Sequence, residues 1–217
     1  RWREMSPGDF IPLAEETGLI IPLGEWVLES VCEASKIWTS AQAPYRAIWL
    51  SVNVSLRQLQ ESNYIGRVGE IVERTGVDPT TLLFGVTESA VMTDLDGMVE
   101  KLEALRGLGA RIAVDDFGTG YSSLEHLGRL PIDMVKVAGP FVEGLGRRKS
   151  DDELDRAILK LGDRVGIDTV AEGVQTAAQR DLLVEIGCLL GQSYFFAEPL
   201  AVEHVGAMRD VCRLRAA

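Results

Sequence analysis

The chain has 217 residues, 46% apolar and 25% charged, enough for one domain with a substantial core and too few for two of ordinary size; this composition excludes a disordered polymer. With 22 Lys and Arg against 33 Asp and Glu the formal charge is −11, and no basic run exceeds Arg147-Arg148-Lys149, which excludes DNA or RNA as a partner because that affinity comes from cationic side chains displacing counterions. An acidic protein whose ligand is a phosphate ester needs a recruited cation, and a divalent metal is the usual one.

In chain order the pattern predicts a short helix around Asp9–Thr17, then a longer one over Gly24–Trp38 carrying Trp26, Val27, Cys32 and Ile37. From Ala47 onward strand-like apolar runs alternate with helical stretches at roughly 25–30 residue intervals, as βα units do. The predicted strands are Ile48–Val54, Leu82–Thr87, Arg111–Asp115, Met134–Val137, Asp168–Ala171 and Gln192–Phe196. Between them, Met98, Leu102 and Leu105 form one helical apolar face, and Leu154, Ile158, Leu161 and Val165 form another. Gly76, Gly109, Gly166 and Gly187 stand where helices should stop. No low-complexity linker interrupts the order, so residues 1–217 are expected to form one domain.

Alternating strands and helices imply a parallel sheet covered by helices, either an open doubly wound sheet or a closed barrel. The open sheet would need a glycine fingerprint after an early strand, and none is present, so the barrel is preferred. Three cysteines, Cys32, Cys188 and Cys212, are odd in number and lack metal-ligand spacing, which fits a reducing cytoplasm. Every apolar stretch is cut by Gly, Pro or Glu well before ~20 residues, so no membrane contact by the domain itself is expected, whatever anchors its parent protein.

All six predicted strands carry, at or beside an end, a polar group unsuited to a plain core: Asn53, Glu88, Asp115 with Asp116, Lys136, Glu172 and Gln192. In a parallel barrel the C-terminal strand ends converge on one mouth, where sites of this architecture are built. Any single one of these residues is more simply a helix cap or a solvated loop residue, and Asp116 in particular could cap the loop of Phe117, Gly118, Thr119 and Gly120; all six strand ends together point to a site. Oxygen donors without a Cys/His cluster select Mg²⁺, Mn²⁺ or Ca²⁺ over zinc. Adjacent carboxylates suit a two-metal centre, because one can bridge ions about 3.5–4 Å apart while its neighbour serves one of them.

The run Asp115-Asp116-Phe117-Gly118-Thr119-Gly120-Tyr121-Ser122-Ser123 resembles the DDFGTGYSS loop of EAL domains, the bacterial cyclic di-GMP phosphodiesterase family. FIPLAEETGLIIPL from Phe10, VNVS from Val52, TESAVM from Thr87, RLPIDMVK from Arg129, VAEGV from Val170 and GQSYFF from Gly191 follow in the family's order and spacing. The resemblance implies a TIM-like (β/α)8 barrel of the EAL type with one antiparallel strand, its N-terminal strand region truncated in this chain. It also implies binding of cyclic di-GMP and its hydrolysis to the linear dinucleotide with two Mg²⁺ or Mn²⁺ ions. Carried over by position, Asn53, Asp115, Asp116 and Glu172 would be metal ligands, with Asp115 bridging. Lys136 and Glu172 would lie near the attacking water, and Gln192 would complete the polar floor. Glu88 would tether the loop after Asp116, Arg1 would approach a ligand phosphate, and Phe10 would lie near the mouth.

The departures are as specific as the matches. The signature glutamate would stand just upstream of Arg1-Trp2. Gly85 occupies the position of a second metal-binding glutamate, Ala138 that of an aspartate and Gln175 that of a glutamate, while Glu198 stands where the family shows Arg or Lys. The expectation is a degenerate member with weak or no hydrolysis, acting as a cyclic di-GMP sensor or as a protein-interaction module through homodimerisation or docking to other signalling domains. The alternative is an active phosphodiesterase yielding linear pGpG.

Overall fold

The computed structural model describes residues 5–39, 49–119, 124–145, 156 and 166–208. Two helices come first, α1 (Pro7–Thr17) and α2 (Ile20–Thr39), separated by Gly18 in the left-handed conformation. Then follow β1 (Leu50–Asn53), α3 (Leu56–Gln60), α4 (Tyr64–Thr75), β2 (Leu82–Thr87), α5 (Glu88–Thr93) and α6 (Leu95–Gly107). The chain continues through β3 (Arg111–Phe117), α7 (Leu124–Leu127), β4 (Met134–Val137), α8 (Gly139–Gly144) and β5 (Asp168–Glu172). The described residues close with α9 (Ala177–Ile186), β6 (Leu190–Gln192) and a 3₁₀ stretch, Val202–Met208.

The six strands among the described residues pair in sequence order, β1 to β6, every pair parallel, as a curled half-barrel. Because strand side chains alternate faces, each strand divides its residues between two cores. Leu50 and Val52, Phe84 and Val86, Ile112 and Val114, Val135 and Val137, and Ala171 face outward and pack against the helices. Leu83, Ala113, Met134 and Val170 face inward and form a separate small core with Trp49. Two residues further along four of these strands, on the same inward face, stand Gly85, Asp115, Lys136 and Glu172. The inner apolar layer is thus the floor of the candidate site, and the next layer is the site itself.

The expected strands at Leu82–Thr87 and Met134–Val137 match the structure, while those beginning at Arg111 and Asp168 run on to Phe117 and Glu172. The expected strand Gln192–Phe196 is displaced: the strand is Leu190–Gln192. Beyond it the backbone turns, the Ser193 carbonyl accepting from Phe196 N at 3.1 Å and Ala197 N at 3.3 Å, contacts that an extended chain cannot make. The long early helix begins at Ile20, ahead of Gly24, because Pro22 falls in its first turn, where the missing N–H is not needed. Ile48, Arg1 and all of the expected 154–165 helix except Arg156, which is helical, lie outside the described residues. No helix among the described residues is long and apolar enough to cross a membrane.

Candidate metal and ligand site

β3 carries two adjacent aspartates, and a regular strand would send them to opposite faces. The ladder to β4 is irregular here: Val114 pairs with Val135 and Phe117 with Val137, so Asp115 and Asp116 together stand against Lys136 alone. This is a bulge, a device that re-aims side chains. Asp116 also has φ of 55°, the only positive φ among the described non-glycine residues. Such a conformation is disfavoured for a residue with a Cβ and is concentrated at functional sites. Bulge and left-handed turn together keep both carboxylates at the mouth: donor oxygens of Asp115, Asp116 and Glu172 lie within 4.8 Å of one another.

Lys136 is buried between two of these groups, its Nζ 2.9 Å from Asp115 Oδ2 and 2.7 Å from Glu172 Oε1. Burial by itself would lower its pKa, but the hydrogen bonds to Glu172 and Asp115 outweigh that and hold the ammonium above the ordinary lysine value. Asp115 Oδ1 accepts from the backbone N–H of Asp116 at 3.0 Å, which fixes the carboxylate from its other side. Glu88, the buried first residue of α5, accepts from Gly118 N at 2.7 Å and so ties the segment after Asp116 to β2 and its helix.

Asn53 and Gly85 are register partners at the same level of β1 and β2. A Cβ added at Gly85 would stand 2.6 Å from Asn53 Oδ1 and 3.7 Å from Asp115 Oδ2. A side chain here would enter the space between those two groups, and glycine supplies none. The donors therefore fit one hard divalent ion, on Asp115, Asp116 and Glu172. Around Asn53 and Asp115 the described residues do not complete a second position.

Gln192 pairs with Glu172 across β5 and β6. Both line a pocket of about 800 Å³ with Gly173, Val174 and Gln175 on one side and Ser193, Tyr194, Phe195, Ala197, Glu198 and Pro199 on the other. Gln175 donates to Glu143 Oε1 at 3.1 Å. Ala138 is buried at the start of α8, with no side chain reaching the mouth. Phe10 is partly buried in the first turn of α1. Arg1 and residues 120–123 of the DDFGTGYSS run lie outside the described residues. The sequence singled out Gln175 and Glu198 separately; that they share a pocket with Glu172, and that Ser193 and Tyr194 complete its wall, follows from the turn after β6.

A parallel α/β half-barrel with an oxygen-donor cluster at the C-terminal ends of its strands defines a barrel-type protein equipped to hold a divalent metal. The chain belongs to the EAL domain family, whose family model matches residues 1–199. It is 38% identical over 202 residues to the bifunctional diguanylate cyclase/cyclic di-GMP phosphodiesterase MucR of Pseudomonas aeruginosa, covering 93% of this chain and 29% of that one. It is 36% identical to the signaling protein YkoW of Bacillus subtilis, covering 91% and 24%. The chain thus spans between a quarter and a third of the first relative and about a quarter of the second. Among solved structures, a complex of the P. aeruginosa MucR phosphodiesterase with c-di-GMP superposes with a TM-score of 0.85 at 37% identity, covering 93% of this chain and 81% of that one. The EAL domain of Mycobacterium smegmatis DcpA superposes at 0.79 with 33% identity, covering 86% and 83%.

Proposed function

We propose that this chain binds cyclic di-GMP at the mouth of its half-barrel and hydrolyses it weakly or not at all, serving a signalling protein as a sensor or interaction module in the cytoplasm. The observation that carries this reading is Gly85, which faces the space between Asn53 and Asp115 without a donor to place there. The relative whose name includes cyclic di-GMP phosphodiesterase and the related structure solved with c-di-GMP support the choice of ligand.

The cluster of Asp115, Asp116 and Glu172 would hold one Mg²⁺ or Mn²⁺ ion, which supplies Lewis-acid polarisation of a phosphoryl oxygen when bound. Lys136 keeps its proton and holds Asp115 and Glu172 toward one another. Gln192, one strand over from Glu172, offers an amide to the ligand. Two-metal hydrolysis clamps both the attacking and the leaving oxygen. Every ~1.4 kcal/mol of transition-state stabilisation lost slows the reaction tenfold, so losing several kcal/mol costs orders of magnitude.

The test incubates purified protein with cyclic di-GMP and Mn²⁺ and follows linear dinucleotide by chromatography, beside Glu172→Ala and Gly85→Glu. The expected result is little or no product from the natural chain, with ligand binding retained. Brisk turnover abolished by Glu172→Ala would overturn the reading and make the chain an ordinary phosphodiesterase. Absence of both turnover and binding would leave only the interaction role.

A further inference from the structure

The turn after β6 builds a wall that the metal cluster does not use. Its anchor is Phe196, partly buried against the main core. Gly191 makes room for it, since a Cβ there would stand 2.6 Å from the Phe196 ring. Phe195 meets Phe196 edge-on, with ring centres 5.4 Å apart and planes at 76°. Backbone bonds from Phe196 and Ala197 to the Ser193 carbonyl close the turn. Tyr194 and Phe195 are thereby exposed on a braced segment, at 77% and 38%, and both line the 800 Å³ pocket that begins at Glu172 and Gln192. Exposed aromatic faces on a fixed turn suit the stacking of a flat base. Ser193 lines the same pocket.

Glu198 lies on this wall, exposed, ahead of Pro199. An ionised carboxylate only accepts hydrogen bonds, and it offers two oxygens side by side. Phosphates, being anionic acceptors, are poor partners for it. A ribose hydroxyl presents one donor, whereas the Watson–Crick edge of guanine presents two neighbouring donors, N1–H and the exocyclic N2–H. Adenine presents an acceptor at N1 and would meet the carboxylate lone pair to lone pair.

We propose that residues 193–198 form a guanine-selective base subsite in which Glu198 accepts from N1–H and N2–H while Tyr194 or Phe195 stacks on the ring. The proposal rests on the reading of the chain as a cyclic di-GMP binder and adds which residue chooses the base. Glu198 thus turns toward the base a position whose charge would otherwise repel the ligand.

The test measures binding of cyclic di-GMP, cyclic di-IMP, whose bases lack the exocyclic amino group, and cyclic di-AMP, by calorimetry in Mn²⁺ buffer, to the natural chain and to Glu198→Ala and Glu198→Gln. The natural chain should prefer cyclic di-GMP to the inosine analogue by roughly tenfold, as a good bidentate contact to a base does, and to cyclic di-AMP by more. Both variants should lose most of the preference over inosine, while matching the natural chain in thermal melting because Glu198 is exposed. A preference over inosine that survives Glu198→Ala, with cyclic di-GMP still bound, would overturn the subsite and leave the proposed function standing. A natural chain that binds none of the three would overturn both.

Discussion

Lys136 is a cation enclosed by the carboxylates of Asp115 and Glu172, and its removal would leave those groups facing each other without compensation. Breaking a buried ion pair from one side typically costs about 3–5 kcal/mol, and the partial exposure of Glu172 places Lys136→Met near the lower end, about 3 kcal/mol in urea unfolding. The pH dependence follows from the direction of the shift. A lysine held above its ordinary pKa when folded contributes stability that is fully present below the unfolded value and is lost as pH rises through the folded one. The stability gap between the natural chain and Lys136→Met should hold level up to about pH 9 and narrow only at higher pH. A gap that closes by neutral pH would mean that the ammonium is not held by its partners.

Gly85 sets the second expectation at this scale. Native mass spectrometry or Mn²⁺ spin resonance should find one tightly held ion per natural chain, on Asp115, Asp116 and Glu172. Gly85→Glu should raise that number, with Asn53 Oδ1, 2.6 Å from the new Cβ, swinging aside to make room. Two ions on the natural chain would show that the space at Gly85 is filled from elsewhere. This readout is independent of turnover. The identity of residue 85 was legible in the sequence because the TESAVM match fixes its position. Its place beside Asn53 Oδ1 came only with the register of β1 against β2.

Among the elements, β3 and its extension show where the sequence runs out. Strands β2 and β4 were legible to the residue because each is a short apolar run with a polar residue at or beside its end, Thr87 in one and Lys136 in the other. The bulge at Asp115 and Asp116 was not, because a bulge is a property of two strands and only one is written in a local run. Ser193 to Phe196 misled for the opposite reason: Tyr-Phe-Phe has high strand propensity, yet the burial of Phe196 and its backbone bond to Ser193 close a turn instead. Glu88 links two of these elements. Its bond to Gly118 N spans the gap between the start of α5 and the end of β3, and Glu88 is only 2% exposed. Glu88→Ala should destabilise the fold by about 1 kcal/mol, because it leaves the partly buried Gly118 N–H without this acceptor. It should also weaken Mn²⁺ binding, since Asp116 sits two residues before Gly118. Full stability with weakened metal would confine Glu88 to positioning the loop, whereas lost stability with unchanged metal affinity would refute the link.

For the whole molecule, the relevant quantity is the net charge of −11 against a ligand that carries two phosphate charges. The mouth adds Asp115, Asp116 and Glu172, with Lys136 already committed to two of them. A bound divalent ion would neutralise the local excess, but the field of the remaining surface acts over a Debye length of about 10 Å at 0.1 M salt and repels the incoming anion. Adding salt screens that repulsion. Affinity for cyclic di-GMP at saturating Mn²⁺ should therefore rise, by about twofold, between 20 and 200 mM NaCl, the reverse of the fall that governs binding to nucleic acids through basic patches. Calorimetry across that range checks it. A steep loss of affinity with salt would instead require a cationic patch on the ligand's path, and Lys136, buried and twice paired, could not supply it. Such a result would move the search for the binding surface away from the mouth.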